Sequence, residues 1–180
     1  MGTRVDGLGA GVCYENDETP PEETVTPTSL HPLQTFLRIH HGSSTCRNRG
    51  AHFLHAKVVD ADEDGAVFEY TVQPEDRNFT NNFHGGAIAA LIDNLSTAAM
   101  FTRERKHFLM GGVSTDLHVT YVGASTVGDV LLVECRATKV GAGLANLSTT
   151  IRDKKSGRVI ATSTHTKFNT DSRYAPGSRL

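Results

Sequence analysis

Hydrophobic and polar residues alternate along most of the second half of the chain, which is the spacing of β-strands with one buried face. Two earlier runs flank an Asp-Glu-Asp-Gly segment at 62–65 and predict a hairpin. The predicted strands are residues 52–60, 65–73, 112–122, 129–140, 144–153 and 158–168. Because the segments between the last four strands are short and contain glycine, they leave no room for crossover helices, and we expect antiparallel pairing.

The alternation also predicts which side chains share a face. Phe68, Tyr70 and Val72 lie on one side of their strand and predict a buried face. In the third predicted strand, strict alternation places Ser114 and Leu117 on opposite faces of the sheet.

One long segment changes to helical spacing. Its apolar side recurs every three or four positions and is formed by Ile88, Leu91, Ile92, Leu95, Ala98, Ala99 and Thr102. A shorter amphipathic helix is predicted at 30–41. The order of elements predicts an α+β domain, in which an antiparallel sheet of about six strands wraps one long central helix. The sheet edges that this arrangement leaves open predict oligomerisation.

The 180 residues have room for one domain between two tails. The first 30 residues carry six acidic residues and one basic residue, so we expect a disordered acidic tail at 1–29 and place the domain at 30–170. Residues 171–180 are then a flexible tail.

The chain ends in Ser178-Arg179-Leu180, a conservative variant of the S-K-L peroxisomal address. We therefore expect recognition by the peroxisomal import receptor and a peroxisomal location, with the cytoplasm or the mitochondrion as alternatives.

Composition excludes several classes of function. The 18 basic and 20 acidic residues give no basic stripe, so we expect no nucleic-acid partner. The longest apolar stretch, near residues 87–101, is interrupted by Asp93 and is too short to cross a bilayer, so we expect no membrane partner. The three cysteines and nine histidines lack metal-ligand spacing, so we expect no metal and interpret the histidines outside the motif described next as structural or exposed.

The sequence His84-Gly85-Gly86 opens the long helix and is the strongest candidate for chemistry. The first N–H groups of a helix lack intrahelical partners and lie at the positive end of its dipole. A Gly-Gly pair also lets a ligand approach the backbone closely, so we expect Gly86 to contact the substrate. We expect the Gly85 N–H to polarise a carbonyl oxygen.

Asp93 follows His84 by nine residues. At about 100° and 1.5 Å per residue, this spacing corresponds to the opposite side of the helix and a rise of roughly 13 Å. Asp93 therefore cannot serve the pocket at its own helix N-terminus. A two-fold dimer would let the Asp93 of one chain face the Gly85 of the other, with Asp93 as a base or a water-aligning carboxylate.

These residues belong to a wider set of motifs. They are Asn78-x5-His84-Gly85-Gly86-x6-Asp93-Asn94, the strand GVSTDLHVTY and the closing SGRVIATSTHTK. Together they resemble the hotdog-fold acyl-CoA thioesterases typified by phenylacetyl-CoA thioesterase and thioesterase superfamily member 2. The likeness runs from about residue 50 to residue 168.

The resemblance implies a hotdog fold and hydrolysis of acyl-CoA thioesters, a step of fatty acid metabolism, without a cofactor or a covalent intermediate. It implies that Asn78 and His84 hold the loop and position the thioester, and that Ser114 helps Asp93 to hold the water. The absence of a G-x-S-x-G elbow argues against a nucleophilic triad around His84. The resemblance also implies a dimer, or a dimer of dimers that forms a homotetramer.

The sequence departs from these relatives where they often carry basic residues in two turns. Ala142 and the segment 123–128 stand there instead. Because such groups are expected to hold the phosphates of coenzyme A, we consider Arg77, Lys139 and Arg158 as substitutes.

Two other functions remain open. A non-catalytic acyl-CoA binding or sensor protein would share this fold, although the presence of both Asp93 and Ser114 argues against it. A hotdog enoyl-CoA hydratase would act on a C=C bond, although the Asp and His arrangement typical of that group is not evident.

Overall fold

The computed structural model describes residues 55–102 and 104–173. These residues form six strands, one α-helix and three short 3₁₀ turns. The strands are β1 (Lys57–Asp62), β2 (Gly65–Thr71), β3 (Val113–Tyr121), β4 (Val130–Val140), β5 (Leu144–Asp153) and β6 (Val159–Phe168). The helix is α1 (Gly85–Ala99), and the 3₁₀ turns are Pro74–Asp76, Met100–Thr102 and Asp171–Arg173.

The six strands form one antiparallel sheet in the order β1-β2-β4-β5-β6-β3. The chain leaves the sheet after β2, forms α1, and returns as β3 at the opposite edge. Within the described residues β3 pairs with β6 alone, so its other side is an open edge. The predicted α+β layering is confirmed.

The core lies between α1 and one face of the sheet. The predicted apolar side of α1 is buried, and Phe68, Tyr70 and Val72 face it with 0–1% of their surface exposed. Burying each large apolar side chain contributes about 1.5–3 kcal/mol. This packing fixes the rotation of α1, and therefore decides which of its polar residues face β3 and β6.

Strict alternation in β3 is wrong at one position. Ser114 pairs with Lys167 and Asp116 pairs with Thr166, so Thr115 is an extra residue in a β-bulge. A bulge changes which side chains share a face. Ser114 consequently lies on the same face as Leu117, toward α1.

Several predictions lie outside the described residues. They are the tail at 1–29, the helix at 30–41 and the tripeptide Ser178-Arg179-Leu180, which stay predictions. At the other end of the predicted domain, the described part extends to Arg173, and the Asp171 carboxylate accepts hydrogen bonds from two backbone N–H groups of residues 109–110. In the described part, no helix is long and apolar enough to span a membrane.

Candidate active site

The loop before α1 is anchored by a buried carboxylate. Asp76 is fully buried, and its Oδ2 accepts hydrogen bonds from the Tyr70 hydroxyl at 2.5 Å and from the Gln73 N–H at 2.8 Å. The Asp76 carbonyl in turn accepts from the His84 N–H at 2.7 Å. The N-terminus of α1 is therefore linked to β2 through Asp76, whose side chain binds Tyr70 and whose carbonyl binds His84.

Asn78 closes the tip of this loop. Its Oδ1 accepts from the Thr80 N–H at 2.9 Å, the Thr80 hydroxyl at 2.7 Å and the Asn82 N–H at 3.0 Å. The turn passes through Asn81, which has a positive φ of 66°. Since Oδ1 is occupied, the part of the Asn78 side chain that can meet a ligand is its Nδ2 amide group.

His84 is the N-cap of α1. Its Nδ1 accepts the Gly86 N–H at 2.9 Å, so in the neutral ring the proton is on Nε2. Within the described residues, the Gly85 N–H donates to no acceptor. The cap therefore occupies the Gly86 N–H and leaves the Gly85 N–H available at the positive end of the helix dipole.

Tyr121, at the end of β3, fixes the other side of Gly85. Its hydroxyl donates to the Gly85 carbonyl at 2.8 Å. A Cβ built on Gly85 would lie 3.4 Å from the Tyr121 ring, in ordinary van der Waals contact. This contact joins the helix N-terminus to one end of the open edge strand.

Asp93 and Ser114 meet at the other end of β3. The Ser114 hydroxyl donates to Asp93 Oδ1 at 2.8 Å, and the Asp93 side chain is 43% exposed. The β-bulge at Thr115 makes this contact possible, because it turns Ser114 toward α1. The structure thus brings together two residues that are 21 positions apart in the sequence.

Two residues of β6 complete this cluster, and sequence reasoning missed both. His165 Nε2 lies 2.9 Å from Ser114 Oγ and 3.3 Å from Asp93 Oδ1. Lys167 Nζ lies 3.3 Å from Ser114 Oγ and 3.9 Å from Asp93 Oδ1. His165 Nδ1 meets the hydroxyl of Ser96, one turn along α1, at 2.8 Å.

Both residues are buried despite their polarity, with 1% of His165 and 4% of Lys167 exposed. Burial and the Lys167 ammonium lower the pKa of His165 to about 4, against the opposite effects of the Asp93 and Asp116 carboxylates. Burial also lowers the pKa of Lys167, and Asp93 offsets part of that effect. The sequence signal that could have found them is the two-residue alternation of β6. Ser163, His165 and Lys167 lie on the same buried face of this strand as Ala161.

The predicted coenzyme A contacts are divided between the two ends of the domain. Arg77 lies in the Asn78 loop. The Arg158 guanidinium donates to the Ala124 carbonyl at 2.6 Å. The next residue, Ser125, accepts a hydrogen bond at its carbonyl from the N–H of Phe83, which precedes His84. Lys139 lies at the far end of β4 beside Val140, which packs against the cluster that contains Met100, the C-cap residue of α1. Arg77 and Arg158 are therefore at the end of the domain that carries Gly85, whereas Lys139 is not.

Gly85 and Asp93 do not meet within one chain. They lie on the same helix, eight residues apart, which corresponds to a rise of about 12 Å. Each chain thus carries a donor half-site around Gly85 and a carboxylate half-site around Asp93. In the part of the chain that the structure describes, no cluster of three potential metal ligands occurs.

A long helix packed on a six-stranded antiparallel sheet, with a Gly-Gly N-terminus and a carboxylate further along the helix, defines a hotdog-fold domain. A family model described as the thioesterase superfamily matches residues 80–160. Human acyl-coenzyme A thioesterase 13 is 34% identical over 110 residues, which cover 61% of this chain and 76% of that protein.

Solved structures agree with this match. The crystal structure of thioesterase superfamily member 2 from zebrafish has a TM-score of 0.66 at 30% identity, and covers 78% of this chain and 99% of its own. The protein of the same name from Mus musculus has a TM-score of 0.64 at 26% identity, with 78% and 98% covered. This chain belongs to the thioesterase superfamily.

Proposed function

We propose that this protein hydrolyses acyl-CoA thioesters to a free acid and coenzyme A, in a site shared between two copies of the chain. The human relative is named an acyl-coenzyme A thioesterase, and the similarity covers 76% of that relative's length. A fatty acyl substrate would place the reaction in fatty acid metabolism.

One observation carries the shared site. The two half-sites lie at opposite ends of the same open edge strand, because Tyr121 contacts Gly85 and Ser114 contacts Asp93. If β3 pairs with β3 of a second copy in antiparallel fashion, a two-fold axis passes near the middle of the strand. The Tyr121 end of one chain then lies beside the Ser114 end of the other, so Gly85 of one chain approaches Asp93 of its partner. Such pairing also closes the open edge.

The reaction follows from the chemistry of the two half-sites. Asp93 aligns a water molecule and accepts its proton as the water oxygen attacks the thioester carbon. The Gly85 N–H donates to the oxyanion that forms on the carbonyl oxygen. The tetrahedral intermediate then breaks its C–S bond, and the coenzyme A thiolate leaves and takes up the proton. No covalent bond to the enzyme is formed.

His84 and Asn78 are positioning groups beside the oxyanion donor. The His84 Nε2–H and the Asn78 Nδ2 amide are the donors that their own loop contacts leave for a ligand. Arg77 and Arg158 lie at the same end of the domain and provide positive charge for the phosphates of coenzyme A. Lys139 has no such support within one chain.

A homotetramer would need a further interface. Val113, Phe168 and Leu144 are neighbours across three strands on the face of the sheet opposite α1, and each remains 45–51% exposed. An apolar surface of this kind favours contact between proteins. We include a dimer of dimers through this face in the proposal.

The Asp93→Asn variant tests the proposed reaction. Because the amide cannot accept a proton from water, we expect thiol release from a palmitoyl-CoA and phenylacetyl-CoA panel to fall by about 10²–10⁴-fold. The matched control is Asp60→Asn, in the exposed strand β1, which should retain wild-type rates. Rates near those of the wild type in Asp93→Asn, with an unchanged circular dichroism spectrum, would refute the mechanism.

A further inference from the structure

The buried pair His165 and Lys167 has no direct part in the reaction described above. Both residues contact Ser114 Oγ and lie within 4 Å of Asp93 Oδ1, and with 1% and 4% of their surface exposed they are closed to solvent. A buried histidine and a buried lysine are costly unless each donor and acceptor is matched. Their hydrogen bonds therefore constrain the proton positions in the cluster.

Counting donors and acceptors gives one arrangement. The Ser114 hydroxyl has one proton, which it donates to Asp93 Oδ1. Lys167 can only donate, so its contact with Ser114 Oγ uses one lone pair of that oxygen. Since the proton of Ser114 is already used, His165 must also donate, from Nε2, to the remaining lone pair.

This assignment fixes the other side of the imidazole. A neutral ring that carries its proton on Nε2 has an acceptor at Nδ1. The group that faces Nδ1 is the buried Ser96 hydroxyl at 2.8 Å, which can donate. The 3.4 Å distance from Ser96 Oγ to the Asp93 carbonyl is longer, so the bond to His165 is the better one.

We propose that Ser96 and His165 form a positioning relay, which with Lys167 fixes the Ser114 hydroxyl as a donor to Asp93 Oδ1. This inference rests on the proposed role of Asp93. The contacts of Ser114, His165 and Lys167 with the carboxylate all involve Oδ1. Oδ2 is therefore the oxygen that accepts the proton from water.

The charges around the ring support a neutral imidazole. Lys167 faces it from β6, Asp93 from α1 and Asp116 from β3. Burial and Lys167 disfavour the imidazolium, and the two carboxylates favour it, with the pKa lowered overall. An imidazolium would carry a proton on Nδ1 and could no longer accept from Ser96.

Nitrogen-15 NMR of the histidine side chains in the full-length protein tests the relay directly. The His165 signals are assigned as those missing from His165→Gln, with His118→Gln, in the exposed part of β3, as the matched control. The expected result is a neutral Nε2–H tautomer at pH 6–8. An Nδ1–H tautomer, or an imidazolium at pH 6, would overturn the proposal. This measurement needs no substrate, so it stands whether or not Asp93→Asn abolishes turnover.

Kinetics distinguish positioning from a general structural role. Ser96→Ala removes the donor to Nδ1 without touching substrate, and we expect kcat to fall by about ten-fold with KM unchanged. His165→Leu should lose more, and His165→Gln, which keeps a donor near the position of Nε2, should recover part of the activity. Equal losses in the two His165 variants, or a change in KM alone, would contradict the relay. The control for Ser96→Ala is Ser148→Ala, because Ser148 lies on the face of β5 that points away from α1.

Discussion

Helix α1 carries the two half-sites at places that are held in different ways. At its N-terminus, Gly85 is positioned by residues that are close in the sequence. His84 caps the helix, and Asp76, eight residues before His84, anchors the preceding loop. In the middle of the helix, Asp93 is positioned by β3 and β6, whose contacting residues are 21–74 positions away in the sequence.

The two regions also differ in charge and in solvent contact. The N-terminal region presents the Gly85 backbone N–H, which does not ionise, at the positive end of a dipole. The Asp93 region surrounds an exposed carboxylate with a buried imidazole and a buried ammonium. Removing the Gly85 N–H should therefore change the rate with little change in its pH dependence, whereas substitutions of the residues that contact Asp93 should change the pH dependence as well.

Of three effects that compare the two regions, the largest is expected from a variant that loses the oxyanion donor but keeps the helix. Gly85→Pro removes the N–H at the first helical position, where proline is well accepted, and His84 already has the extended conformation (φ −67°, ψ 133°) that proline requires before it. We expect kcat to fall by about 10²–10³-fold with the fold retained. Gly85→Ala, which keeps the N–H, is the control. Equal rates for Gly85→Pro and wild type, measured by thiol release, would exclude the Gly85 donor.

The second effect concerns the Asp93 region and is a pH dependence of stability. The pKa of His165 is lowered from 6.5 to about 4 in the folded state, so the unfolded chain binds more protons between these values. The stability that His165 supports is complete above pH 6.5 and is lost progressively as the pH falls toward 4, by about 3 kcal/mol in total.

Urea unfolding of the wild type and of His165→Gln at a series of pH values measures this effect. The variant should show a flatter dependence between pH 4 and 6.5. Parallel curves for the two proteins would show that His165 titrates normally in the folded state.

The smallest of the three effects tests the anchor of the N-terminal region. Tyr70→Phe removes the hydroxyl that donates to the buried Asp76 carboxylate, and we expect a loss of about 1–3 kcal/mol in the free energy of unfolding. Tyr121→Phe removes a hydrogen bond in an exposed setting, so its cost should be smaller. The reverse order of the two values, from denaturant titration, would contradict the role given to Asp76.

The same contrast explains how much the sequence could predict. The six antiparallel strands, the long helix and its buried side follow from hydrophobic spacing, and the helix N-terminus follows from the local sequence His84-Gly85-Gly86. The face of Ser114 could not be predicted, because the bulge at Thr115 depends on the register with β6. His165 and Lys167 were missed for a related reason, since their partners lie 51–74 positions away.

The shared site is the central claim, and subunit mixing tests it most directly. Gly85→Pro and Asp93→Asn are each expected to be inactive, and co-expression of the two chains lets them assemble together. A site built from Gly85 of one chain and Asp93 of its partner is intact in about one combination in four, so about a quarter of wild-type turnover should return. Turnover that stays at the level of the two parent variants, although both chains are present in one assembly, would show that each site lies within a single chain.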